Sequence, residues 1–144
     1  MKACTFFGHR DCDDDIAATL CERIENLICE NEIDTFYVGN QGNFDCMVID
    51  ALRKLKLEYE HIRYYIVLAY LPSETKNLYD SENTIFPDGI ENVYPRFAIS
   101  FRNEWMIDKS DVVIGYIRYS FGGAYKFFEM AERKGKNTVN LFQK

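Results

Sequence analysis

Five short apolar runs punctuate the chain: Ala3–Phe7, Thr35–Val38, Arg63–Tyr70 with Tyr64-Tyr65-Ile66-Val67-Leu68 at its heart, Val112–Ile117, and Thr138–Phe142. They show little polar alternation, as expected of strands buried on both faces of a parallel sheet. Between them the apolar period becomes helical. Ile16, Leu20, Ile24, Leu27 and Ile28 share one face, with Asp13, Asp14 and Asp15 at its start, where a helix dipole favours acids. Met47, Val48, Ala51, Leu52 and Leu55 mark a second helix, with Arg53, Lys54 and Lys56 toward its end. Phe97, Phe101, Trp105 and Met106 mark a third. Phe127, Phe128 and Ala131 mark a fourth, ended by Lys134-Gly135. Strands alternating with helices imply right-handed crossovers, and hence a three-layer, doubly wound α/β domain on a five-stranded, mainly parallel sheet. At 144 residues the chain is expected to form one such domain, residues 1–144.

One stretch breaks the pattern. Leu71–Pro95 holds all three prolines and Asp88-Gly89 with little periodicity, longer than an ordinary connection and of the kind that serves as a lid. Composition narrows the function classes. A net charge of −6 argues against a nucleic-acid backbone binder, which needs a basic surface, but leaves room for a small anion held by a local dipole. No apolar run approaches the length of a membrane span, and Met1–Phe7 is too short an apolar run for a secretory leader, so a cytoplasmic location is the expectation. Five cysteines (Cys4, Cys12, Cys21, Cys29, Cys46) without C-x-x-C spacing point to reduced thiols, Cys21 and Cys29 being expected as small core residues of the first helix.

The chemistry gathers at strand ends. In a doubly wound sheet, ligands bind beyond the carboxyl ends of the strands, where the strand order reverses. Three glycine-bearing turns lie at such ends: Gly8-His9-Arg10-Asp11, Gly39-Asn40-Gln41-Gly42-Asn43-Phe44-Asp45, and Ser120-Phe121-Gly122-Gly123-Ala124. The third leads from a buried strand into an amphipathic helix, an order that presents free N–H groups and a positive dipole end to an anion. Each turn alone is equally a tight connection; together they outline a pocket. Neither a Walker loop nor a dinucleotide fingerprint is present, which weakens ATP hydrolysis and NAD chemistry as readings.

These stretches, with Thr5-Phe6-Phe7-Gly8-His9-Arg10, Phe36–Asp45, Val67–Pro72, Arg96–Met106 and Ser120–Glu129, resemble the SLOG superfamily. This is the Rossmann-like group that includes the Lonely Guy (LOG) phosphoribohydrolases and the core domain of DprA. The likeness is greatest to short bacterial and phage members that open with F-F-G-H-R. It implies a Rossmann-like fold, a nucleotide or nucleotide-derived ligand, pairing into a homodimer, and a place in stress or antiphage signalling. LOG enzymes cleave the N-glycosidic bond of a nucleoside monophosphate with a P-G-G-x-G-T-x-x-E motif and an arginine on the preceding helix. Gly122 and Gly123 match the glycine pair, Glu129 the glutamate, and Arg102 the arginine. Phe121, Tyr125 and Lys126 depart from the motif's proline, third glycine and threonine, so nucleotide binding carries over better than catalysis.

The candidate catalytic residues are therefore Arg102 and Glu129, an arginine to orient phosphate and a carboxylate to stabilise an oxocarbenium-like sugar. The competing role for this pair is a salt bridge between helices. Candidate ligand-binding residues are Gly8, His9, Arg10, Gly39, Asn40, Gln41, Gly42, Asp45, Gly122, Gly123, Ala124 and Lys126. His9 serves equally as a phosphate donor, an acid–base group or a turn histidine bonded to backbone. Asn43 and Asp45 serve equally as helix caps, though Asp45 can also accept from a ribose hydroxyl. Tyr70 and Trp105 offer either stacking surface or core volume. The acids after His9 are better explained by capping than by metal ligation, so neither metal nor cofactor is expected. Beside nucleotide binding stand two alternatives, a LOG-like phosphoribohydrolase and a non-catalytic protein-interaction module.

Overall fold

The computed structural model describes residues 2–70 and 83–142. In chain order the elements are β1 (Ala3–Gly8), α1 (Ala17–Glu30), β2 (Thr35–Val38), α2 (Asn43–Glu58), β3 (Arg63–Val67) and β4 (Thr84–Ile85). There follow α3 (Ala98–Lys109), β5 (Val112–Tyr116), α4 (Gly123–Arg133) and β6 (Asn137–Asn140). The strands form one sheet in the order β4-β3-β2-β1-β5-β6, every pairing parallel. The chain winds outward from β1 to β4, then returns to the other side of β1 for β5 and β6. The order therefore reverses between β1 and β5.

Six strands stand where five were expected. The added one, Thr84–Ile85, pairs with Ile66 and Val67 at the sheet edge, and two residues are too few to leave a periodic signature. It lies inside the stretch expected as a lid, of which residues 71–82 lie outside the described residues. The remainder carries two single-turn 3₁₀ helices, Ile90–Asn92 and Pro95–Phe97.

Strand side chains alternate between two cores, because successive residues of a strand point to opposite faces. Cys4, Phe6, Phe36, Val38, Val112 and Ile114 pack with Leu20, Ile24, Leu27 and Ile28 of α1 and Val48, Leu52 and Leu55 of α2. Ala3, Phe7, Tyr37, Val67 and Val113 pack with Met106 and Ile107 of α3 and Phe127, Phe128 and Ala131 of α4. The result is a three-layer Rossmann-like fold with α1 and α2 on one face and α3 and α4 on the other.

Two expectations for the helices change in detail. Cys29 is exposed and Cys21 only half-buried, since the apolar stripe of α1 falls on Leu20, Ile24, Leu27 and Ile28 and leaves both thiols at its margin. In α3 the exposed Phe97 lies before the helix, and the buried stripe is Ala98, Arg102, Asn103, Met106 and Ile107. A charged and an amide side chain occupy the inward face of that helix, which defines the site described next. Among the described residues no helix is long and apolar enough to cross a membrane.

Candidate functional site

The carboxyl ends of β1, β2 and β5 open onto a cavity of about 380 Å³, within the range of small-molecule pockets. Gly8, His9, Arg10 and Asp11 line it from the first turn, Gly39, Gln41, Gly42 and Asp45 from the second, and Gly122, Gly123 and Ala124 from the third. Arg102 reaches it from α3. Of the candidate catalytic and ligand-binding residues, Asn40, Lys126 and Glu129 do not line it.

The glycines of the three turns serve different purposes. A side chain on Gly8 would overlap the ring of Phe44, whose Cβ lies 2.8 Å from the point a Gly8 Cβ would occupy. One on Gly42 would come within 2.9 Å of the Arg10 Cα, and one on Gly39 within 3.0 Å of the Arg102 guanidinium. These three make room for the protein's own packing. Gly122 and Gly123 are the opposite case, with no atom within 4 Å of either Cβ position. Gly122 takes φ 94° and ψ 174°, a region essentially reserved for glycine, and caps α4.

That cap is bare. Gly122 brings no side-chain acceptor, the first turn of α4 holds no acid, and no acceptor meets the N–H groups of Gly123, Ala124 or Tyr125 among the described residues. A helix end in this state carries unsatisfied donors and a partial positive charge. The cap of α2 differs. Asn43 N–H donates to the Arg10 carbonyl (3.3 Å), and Asp45 supplies a carboxylate in the first turn, its Oδ2 accepting from Gln41 N–H at 2.8 Å. Burial pushes the Asp45 carboxyl above its usual range, opposed by the Gln41 N–H and by the charges of Arg102 and Arg10.

Arg102 is only 2% exposed. Its Nε donates to Asn103 Oδ1 (2.7 Å) and its Nη1 to the Val67 carbonyl at the end of β3 (2.8 Å). Buried charge is tolerated only with such partners. Burial lowers the guanidinium pKa, and the Asp45 carboxylate works against that shift. Ile99, Asn103 and Met106 line the cavity from the same helix, and their i, i+4, i+7 spacing was a signal available in the sequence.

Glu129 lies elsewhere. Its carboxylate accepts from the Tyr125 hydroxyl (2.7 Å) and pairs with Arg133 (2.9 Å), both on α4. The fold does not bring Arg102 and Glu129 together. Glu104 pairs with Lys134 across α3 and α4.

His9 Nε2 accepts from the backbone N–H groups of Arg118 (2.9 Å) and Tyr119 (3.2 Å), tying β1 to the loop after β5. An acceptor at Nε2 requires the neutral imidazole with its proton on Nδ1. Burial lowers the His9 pKa, with Asp11 opposing and Arg118 reinforcing the shift. The loop so held carries a ring ladder, His9 on Tyr119 (4.9 Å) and Tyr119 on the exposed Phe121 (5.3 Å). Tyr119 and Phe121 both line the cavity, Phe121 being a residue of the third glycine-bearing turn. Trp105 packs edge-on against Tyr37, and the Tyr70 hydroxyl donates to the Pro95 carbonyl (2.8 Å); neither lines the cavity.

No family model and no curated protein matches the chain. Among solved structures it is similar to DNA processing protein A (DprA) from Streptococcus pneumoniae, with a TM-score of 0.72 and 18% sequence identity. The match covers 100% of this chain and 51% of that one, so the chain spans about half the length of its structural neighbour. The chain therefore has the Rossmann-like fold of DprA, with its cavity at the point where the strand order reverses.

Proposed function

We propose that this protein binds a nucleotide or nucleotide-derived small molecule at the carboxyl edge of its sheet, acting as a sensor and not through covalent chemistry. One observation carries the reading: the bare amino end of α4 and the buried cation Arg102 open onto the same cavity. A helix end without acceptor or acid suits a phosphoryl group, and the exposed ring of Phe121 beside it suits a base. Isothermal titration with nucleoside mono- and diphosphates, ADP-ribose and a single-stranded oligodeoxynucleotide tests the proposal. Saturable binding of a small nucleotide is the expected outcome; silence across the panel from folded protein overturns it. The oligonucleotide arm addresses the name of the structural neighbour, against which the net charge of −6 weighs.

The LOG-like alternative draws less support, because Glu129 is engaged by Tyr125 and Arg133 on its own helix and lies off the cavity wall. Release of free base from a monophosphate, abolished by Glu129→Gln and by Arg102→Ala, would establish it.

A further inference from the structure

The cavity has two polar regions of different character. At the α4 end there are backbone donors and no acid in the first turn of the helix. Beneath Gly39 a cation and a carboxylate lie side by side: a Cβ at Gly39 would be 3.0 Å from Arg102 Nη1 and 3.2 Å from Asp45 Oδ2. Close as they are, no ion pair joins them among the described residues.

Each keeps one atom in reserve. Among the described residues Arg102 uses Nε and Nη1, leaving Nη2 without a partner there, and Asp45 uses Oδ2, leaving Oδ1. Among the described residues, Ser110 Oγ is the single fully enclosed side-chain polar atom that lacks a partner. Neither Nη2 nor Oδ1 is such an atom among the described residues. Both residues line the cavity.

A donor next to an acceptor, of opposite charge, is poorly matched to a phosphoryl group, which would meet the Asp45 carboxylate. It is well matched to a group that both gives and takes hydrogen bonds. A vicinal diol does so, and a ribose supplies one. A base has a flat face better placed on the rim, where Phe121 is 69% exposed and stacked on Tyr119.

We infer that Asp45 and Arg102 form a diol-reading couple: Asp45 Oδ1 accepts from a ribose hydroxyl and Arg102 Nη2 donates to its neighbour, while the phosphoryl group sits at Gly122–Ala124. This rests on the nucleotide reading of the cavity. It makes Asp45 the specificity-determining residue and separates Arg102 from the phosphate.

The test is titration of wild-type protein and Asp45→Asn with the four common ribonucleoside 5′-monophosphates and their 2′,3′-dideoxy forms. Sites built to bond a hydroxyl penalise its loss, because their own polar groups are left unpaired. Wild type should bind the ribo form of its preferred base about 10- to 100-fold tighter than the dideoxy form, a ratio falling below about threefold in Asp45→Asn. Asparagine retains an acceptor for Gln41 N–H, and a thermal melt verifies folding; should the variant not fold, the wild-type comparison decides. Equal affinity for ribo and dideoxy forms overturns the couple but leaves nucleotide binding standing, as does discrimination that persists unchanged in Asp45→Asn. Absence of binding by every monophosphate overturns this inference; extended to the whole panel, it overturns the nucleotide reading as well.

Discussion

Gly8→Ala tests whether the first turn is shaped by packing or by ligand approach. The new methyl carbon would fall 2.8 Å from Phe44 Cβ and overlap the ring beyond it. Phe44 cannot yield cheaply, since it is 1% exposed, lies in the first turn of α2 and stacks on Tyr116 at 6.5 Å. Overpacking a core of this kind costs about 1–3 kcal/mol. Contact with a Cβ, which moves only with the helix backbone, puts the expectation at roughly 2–3 kcal/mol. At this chain length the melting temperature should fall by roughly 6–9 °C. Urea denaturation of wild type, Gly8→Ala, Phe44→Ala and the double variant gives the coupling. Phe44→Ala alone should cost about 3–5 kcal/mol. Adding Gly8→Ala to it should cost less than in wild type, a coupling of at least about 1 kcal/mol, because the overlap with the ring is gone and only the approach to Cβ remains. A Gly8→Ala variant as stable as wild type, or additive costs in the double variant, would refute the reasoning.

Two further outcomes follow from the same region. Gly122→Ala should destabilise by about 1–3 kcal/mol in urea although nothing lies within 4 Å, because φ 94° with ψ 174° is strained for any L-residue; Gly123→Ala, without a positive φ, should not. For His9, a folded pKa below the ordinary 6.5 means that the unfolded chain takes up the proton first as pH falls. Its contribution is therefore complete above pH 6.5 and declines as pH drops toward the lowered folded value. Urea midpoints of wild type between pH 7.5 and 5 should fall more than those of His9→Gln, and parallel profiles would disprove the role of Nε2 as acceptor.

Much of the architecture was legible in the chain. Runs such as Thr35–Val38 and Val112–Tyr116 read as doubly buried strands because a parallel sheet covered on both faces leaves no polar side to alternate. Alternation with helices gave the winding, and winding placed three glycine turns on one edge. β4 escaped because two residues carry no period. Sequence pattern also marked the α4 cap, since strand, glycine pair and amphipathic helix are local in the chain.

What local pattern could not convey was which glycine faces what, and which carboxylate faces Arg102. Gly8, Gly39 and Gly42 look like Gly122 and Gly123 in sequence, yet three are filled by neighbours more than thirty residues distant or from another strand end, and two are open. Glu129 sits at the motif spacing, but Tyr125 and Arg133, each four residues away on its helix, engage it. Asp45 reaches Arg102 only because parallel pairing sets β2 next to β1 and α3 returns across the opposite face of the sheet. Helical propensity and strand periodicity act over a few residues and are written in the chain; the meeting of a buried cation with a carboxylate depends on layers packed from distant segments, and only the tertiary structure decides it.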